Sequence, residues 1–426
     1  MNHFEVRDGE LCCEDVKLSD IAREVGTPVY VYSTATLERH LTVFREALAK
    51  QAIKLGAPLV AYAVKANSNL AVLSTLARHG AGADTVSEGE IRKAMAAGVP
   101  PNRIVFSGVG KLEREIVFAL EAGVHQINVE AAPELDRIEA VAAARGMRAP
   151  VAFRVNPGVG AGGHAKITTG GITDKFGVTA EEALELYARA ANSPHLEPRG
   201  LACHIGSQIS DLAASREAFA LMKSLVERLR ADGFEVATLD LGGGLGVPYF
   251  NQPDPPSPDA FALAAAETAG GLELQYIFEP GRMIVANAGV LLSLVVHVHK
   301  RPGEGRRFLV LDAAMNDLMR PALYDAFHDI RPVRPRADAR RLTYDVVGPV
   351  CETGDTFTRD RELPELAAGD LVAFMSAGAY GAVMASEYNS RPLAPEVLVK
   401  DSQWRVVRPR PGYPEMFERE SQAPWL

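Results

Sequence analysis

Lys65 directly follows the apolar run Leu59-Val60-Ala61-Tyr62-Ala63-Val64 and precedes Ala66-Asn67. An amine at the C-terminal end of a buried strand is partly desolvated, which raises its neutral, nucleophilic fraction and suits it to condense with a carbonyl. The ordinary reading of such a lysine is a solvated loop charge. What gives Lys65 weight is that other apolar runs also end in polar or glycine-rich residues: Asp84, Ser107, Asn156, His204, Gly242-Gly243-Gly244 and Glu279-Pro280-Gly281-Arg282. Each has a bland explanation, with His204 a satisfied core histidine, the glycines a turn, and Glu279 with Arg282 a surface ion pair of little worth. Their succession along more than two hundred residues is harder to explain that way.

The elements that must position these residues follow from the hydrophobic pattern. Apolar runs near 59–64, 82–85, 103–106, 125–129, 150–155, 199–204, 236–241 and 274–279 alternate with amphipathic segments. The latter lie at Leu70–His79, Glu88–Ala97, Glu113–Ala122, Pro133–Arg145, Ala180–Ala191, Ala213–Asp232 and Pro258–Gly270, with Thr34–Lys50 ahead of the first run. This is the pattern of parallel strands joined by crossover helices. Eight strands over this span fit a closed (β/α)8 TIM-type barrel of roughly 250 residues, with a doubly wound open sheet as the alternative. In such a barrel the chemistry sits at the C-terminal ends of the strands, where the polar residues fall.

After Gly281 the texture changes to strand-like runs at Val290–Lys300, Phe308–Asp312, Leu342–Val347 and Leu371–Met375, predicting a second, mainly β domain. Val29–Tyr32 is strand-like and is expected to join it. The expected organisation is therefore 1–33 joining the β domain, 34–284 as the barrel, and 285–426 as the C-terminal β domain. Arg331–Arg341 reads as a basic, proline-containing loop, and Asn251–Pro258 as a proline-rich connection.

A lysine, a strand-end carboxylate, a glycine-rich loop and a flat imidazole together fit binding of pyridoxal phosphate. Lys65 would form a Schiff base with its aldehyde, and Glu279 would accept a hydrogen bond from the pyridinium nitrogen and keep the ring an electron sink. His204 could stack on the ring, and the glycines would let backbone N–H groups approach the phosphate.

Ala61-Tyr62-Ala63-Val64-Lys65-Ala66-Asn67, Cys203-His204-Ile205-Gly206-Ser207-Gln208, Leu241-Gly242-Gly243-Gly244, Glu279-Pro280-Gly281-Arg282, Gly348-Pro349-Val350-Cys351-Glu352 and Ala377-Gly378-Ala379-Tyr380-Gly381 resemble, in order and spacing, the motif series of the diaminopimelate decarboxylases. These belong to the alanine-racemase-like, fold type III enzymes that use pyridoxal phosphate, and the resemblance runs from about Pro28 to Val399. It implies decarboxylation of meso-2,6-diaminopimelate to L-lysine and CO2, the last step of lysine biosynthesis. It makes Lys65 the cofactor lysine and His204 the ring-stacking residue, with Asp84, Ser207, Gly243, Gly244, Glu279, Gly281, Arg282 and Tyr380 as cofactor contacts. Arg282, Arg320, Tyr324, Glu352 and Tyr380 become substrate contacts, and Cys351 the proton donor. It also implies a homodimer in which Cys351 and Glu352 reach the partner's site, so that a monomer is inactive. Glu88, Met283 and the glycine-rich stretch Gly158–Gly163 depart from the family's commoner wording.

Composition narrows the alternatives. With 426 residues, 47% of them hydrophobic, the chain can fill a large core, and a net charge of −9 disfavours nucleic-acid or anionic-membrane partners. The four cysteines match neither a disulfide framework nor a zinc site, which predicts free thiols in a reducing cytoplasm and no structural metal. Met1–Leu11 lacks the basic start and apolar core of an export signal. Three other readings stand beside the implied one: a decarboxylase of ornithine, arginine or a carboxylated polyamine, a non-catalytic cofactor-binding homologue, and a purely structural β/α protein. An amino-acid racemase fits less well, because no tyrosine motif supplies a proton donor on the second ring face.

Overall fold

The computed structural model describes residues 2–159, 171, 174–249, 251, 253–303, 305–423 and 425. Residues 160–163 of the glycine-rich stretch lie outside them. The chain divides into two compact units, one of Met1–Leu37, Tyr249–Asn251 and Val285–Leu426, the other of Glu38–Pro248 and Gln252–Ile284.

The second unit is a closed barrel of eight parallel strands, each paired with its sequence neighbours and the last with the first. The strands are Leu59–Ala63, Gly82–Thr85, Ile104–Phe106, Gln126–Val129, Ala149–Arg154, Leu196–Ala202, Thr238–Asp240 and Gln275–Phe278. They coincide with the eight apolar runs, because strands covered by helices outside and side chains inside have no solvent face and so read as continuous hydrophobic stretches. The closed barrel rules out the open sheet. Helices begin where capping chemistry allows: Asn69 accepts from the Ala71 N–H, Ser87 from Glu90, Thr179 from Glu182 and Ser257 from Ala260. Glu88 occupies the first turn after Ser87 and pairs with Arg92 one turn on, so this departure suits the helix dipole. Met283 is buried in the short helix Arg282–Val285.

In the first unit, Val29–Ser33 lies inside a nine-stranded sheet, antiparallel to Gly289–Lys300 and parallel to Glu396–Lys400. The N-terminal strand thus joins the β domain, as expected. Val29, Val31, Val290, Leu292, Val397 and Val399 share one core cluster. Tyr30, on the opposite face, donates its hydroxyl to Asp317 O at 2.6 Å. Two readings need correction. Arg331–Arg341 is not wholly a loop, since Ile330–Pro332 pairs with Leu371–Phe374; here strand pairing overrides the local proline signal. Short strands at Phe4–Arg7, Glu10–Cys13 and Val16–Lys17, followed by the helix Leu18–Val25, form where no element was expected. Among the described residues no helix is long and apolar enough to cross a membrane.

Candidate active site

Lys65 sits in a one-turn 3-10 segment, Val64–Ala66, at the end of the first barrel strand. The following asparagines set this turn: the Tyr62 hydroxyl donates to Asn67 O at 3.0 Å, and Asn67 Oδ1 accepts from the Asn69 N–H at 3.0 Å. Lys65 Nζ then reaches Asp84 Oδ2, at the end of the second strand, at 3.0 Å. The lysine is 35% exposed and the aspartate fully buried. The strand ends at the barrel mouth, so the lysine side chain keeps some contact with solvent while a buried carboxylate holds its amine.

Glu279 follows the eighth strand and is buried, as is Arg282, so the surface-pair explanation fails for both. Backbone bonds stitch this segment to its neighbours, with the Ala63 N–H donating to Pro280 O at 3.1 Å and the Glu279 N–H to Gly242 O at 2.7 Å. Gly281 packs against Ala63 and Ala66, on either side of Lys65 in sequence. Glycine is required in the triplet. A Cβ on Gly243 would lie 2.0 Å from Glu279 O, and Gly244 has φ +103° with Gly206 O at 2.2 Å from any added Cβ. Ser207 accepts from Arg282 Nε at 3.1 Å and Nη2 at 3.0 Å.

The Gly243 N–H donates to His204 Nδ1 at 3.2 Å, so Nδ1 must carry a lone pair and any ring proton sits on Nε2. Burial, then the charges of Lys65 and Arg154, hold the imidazole pKa well below its usual value, leaving a neutral, flat ring. Glu279 and Asp240, at the end of the seventh strand, form an acidic pair. Burial first, then the neighbouring carboxyl groups of Asp240 and Asp84, push Glu279 well above the usual carboxylate range; burial also raises Asp240. Among the described residues no N–H or O–H reaches Asp84 Oδ1, Asp240 Oδ2 or Glu279 Oε1. Two carboxylates only accept, so the Glu279–Asp240 hydrogen bond requires that one of the pair carry a proton. Burial likewise lifts Glu90 to about 7, with the Val86 N–H and the charges of Asp84 and Lys65 acting on it as well.

Sequence reasoning missed Asp240, the interior chain that holds it and two buried ion pairs of the barrel. Thr238 donates to Gln126 at 2.9 Å, Gln126 to Asn128 at 2.8 Å, and Asn128 to Ser107 at 3.1 Å, with Asn128 also hydrogen-bonded to Asp240. Arg154 pairs with Glu130 at 2.8 Å and Lys111 with Glu134 at 3.1 Å, all four residues buried. The alternation of Gln126 with Asn128 and of Thr238 with Asp240 was the available signal, since residues two apart share a strand face. Asn156 braces its own loop instead, donating to Gly171 O at 2.9 Å and Phe176 O at 3.1 Å.

In the β unit, Arg320 is buried and its guanidinium donates to His328 Nε2 at 2.8 Å. Tyr324 ends the same short helix and is half-buried. Cys351 is exposed, the other three cysteines are buried, and none of the four is in a disulfide. The loop that carries Cys351 is pinned by Asp355, which accepts from the Val350 and Met315 N–H groups at 2.7 Å each. Glu352 is exposed beside Tyr388, to which it is hydrogen-bonded. Tyr380 has φ +55°, a left-handed conformation uncommon for a tyrosine. Among the described residues no cluster of three or more metal-ligating side chains occurs.

A closed parallel barrel bearing a lysine, an acidic pair and a glycine cradle at its strand ends suits a pyridoxal-dependent enzyme, and residues 34–286 match the pyridoxal binding domain of the pyridoxal-dependent decarboxylases. The chain is 50% identical over 425 residues to the diaminopimelate decarboxylase of Pseudomonas aeruginosa, with all of both chains covered. It resembles the structure of diaminopimelate decarboxylase from M. jannaschii in co-complex with L-lysine, with TM-score 0.94, 35% identity and all of both chains covered. The Helicobacter pylori enzyme complexed with L-lysine gives TM-score 0.89 at 41% identity, covering 94% of this chain and 98% of that one. The chain belongs to the diaminopimelate decarboxylase family.

Proposed function

We propose that this chain is a cytoplasmic, homodimeric enzyme that decarboxylates meso-2,6-diaminopimelate to L-lysine and CO2 with pyridoxal phosphate as cofactor. The observation that carries the proposal is Lys65, set 3.0 Å from the buried Asp84 at the mouth of a family barrel. The residues fit the cofactor. The acceptor oxygens of Asp84, Asp240 and Glu279 that lack donors suit a ring N–H, the Gly242–Gly244 cradle suits a phosphate, and Lys65 suits an aldehyde. When bound, pyridoxal phosphate would withdraw the electron pair released as the carboxylate leaves.

The chain's own residues account for the rest. Glu279 would hold the ring proton, sharing charge with Asp240. His204, neutral and held by Gly243, would offer its flat face without adding positive charge. Gly243, Gly244, Gly281, Ser207, Arg282 and Tyr380 would hold the cofactor. Arg282 and Arg320 would pair with the distal carboxylate, Glu352 would take the distal ammonium, and Tyr324 with Tyr380 would complete the substrate contacts. Cys351, exposed on its pinned loop, would return the proton, with Cys351 and Glu352 acting in the partner's site. The domain assignment proposed with these roles is 34–284 for the cofactor and 1–33 with 285–426 for the β domain.

The test is release of CO2 and L-lysine in equal amounts from meso-diaminopimelate, with its stereoisomers, ornithine and arginine as controls. Release from ornithine or arginine but not from meso-diaminopimelate would refute the substrate. Cys351→Ala is expected to lower kcat about 10²-fold, the lower end for loss of a general acid, while cofactor absorbance stays intact. Loss of that absorbance in the variant would contradict the proton-donor role.

A further inference from the structure

His328 carries two hydrogen bonds whose chemistry fixes its state. Its Nδ1 lies 2.9 Å from Met375 O, an acceptor only, so Nδ1 carries the proton. Its Nε2 lies 2.8 Å from Arg320 Nη1, and a guanidinium can only donate, so Nε2 must present a lone pair. The imidazole is therefore neutral, in the Nδ1–H form, and buried with Arg320. On another side, the Arg320 guanidinium carbon lies 5.0 Å from the centre of the Tyr249 ring, which meets the His328 ring edge-on at 5.9 Å and 77°. Tyr249 and His328 are both uncharged, so they orient the guanidinium without cancelling its charge. A guanidinium fork held in one geometry loses less freedom when it pairs with an anion.

We infer that His328 is a positioning residue that aims Arg320 at the distal carboxylate of the substrate and so sets substrate affinity without touching the substrate itself. The inference rests on the reading of Arg320 as a carboxylate contact. It assigns a role to a residue outside the quoted motifs, and it specifies that the role is the Nε2 lone pair, not bulk.

The experiment measures KM and kcat for meso-diaminopimelate with the cofactor-loaded enzyme. His328→Leu, which removes the acceptor, is expected to raise KM about tenfold, the scale of one hydrogen bond to a charged group, with kcat within about threefold. His328→Gln, whose amide oxygen can occupy the Nε2 position, is expected to bring KM back within about threefold of the parent. Should His328→Leu fail to fold, His328→Asn serves, since it keeps a donor near Met375 O but is too short to reach Arg320; it is expected to match the leucine prediction. In an Arg320→Met background, His328→Leu should add less than about a twofold change, because residues acting through one contact are not additive. An unchanged KM in His328→Leu or His328→Asn, or the same fold rise with Arg320 already removed, overturns the inference alone. An unchanged KM in Arg320→Met sinks the carboxylate reading, and the inference with it.

Discussion

Lys65→Ala is expected to abolish turnover, lowering kcat on the order of 10⁴-fold or more, the scale seen when one member of a catalytic unit is removed. Borohydride treatment of the parent protein with pyridoxal phosphate should leave a pyridoxyl group on the peptide containing Lys65, and the variant should carry none. The loss is chemical and not a collapse of the barrel. The Lys65 side chain is 35% exposed but Asp84 is fully buried, so removing the amine strands a buried carboxylate and costs on the order of 3 kcal/mol. Folded domains are stable by roughly 5–15 kcal/mol, so the variant keeps its fold at a reduced margin. A cooperative melt at a temperature a few degrees below the parent's, together with absent activity, is the expected pair of results. A pyridoxyl adduct on a different peptide, or turnover within tenfold of the parent, would refute the assignment of Lys65.

Glu279→Gln separates two consequences of the acidic pair. Without a carboxylate the ring nitrogen would lose the partner that keeps it protonated, and kcat is expected to fall about 10²- to 10³-fold, the loss typical of one preorganised electrostatic contact. Stability of the cofactor-free protein should move in the opposite direction. Glu279 is raised above its unfolded value by burial and by Asp240, so the folded state holds a proton that the unfolded chain releases. Stability therefore falls as pH rises from about 4.5 through the raised folded value, because the native state binds more protons than the unfolded one. Glutamine cannot ionise and removes that loss. The variant should melt above the parent at pH 8, with the gap closing as the pH approaches about 4.5. Thermal melts across that range check the sign, and a variant that melts below the parent at pH 8 while keeping kcat within a few-fold would refute the role given to the pair.

Much of the barrel was legible in the chain. Its strands are covered on both faces, so each reads as an unbroken apolar run, and the residue after each run marks the rim. Lys65, Asp84, His204, the glycine triplet and Glu279 were found in this way. The β unit was less legible. Val29–Tyr32 gave a strand signal, but its pairing with Gly289–Lys300 and Glu396–Lys400 could not be read from its neighbours, because register depends on partners hundreds of residues away. The short strands between Phe4 and Lys17 are only two to four residues each, too brief for periodicity to separate them from turns.

The sequence by itself determined which segments bury, where the barrel strands end, and which residues are candidates for nucleophilic and acidic chemistry. Only the tertiary structure decided what those groups face: Glu279 against Asp240, Arg154 against Glu130, and Arg320 against the lone pair of His328. The reason is physical. Burial follows from the composition of a short stretch of chain, whereas the partner of a buried polar atom is fixed by strand order and register, which bring together residues that no local pattern connects.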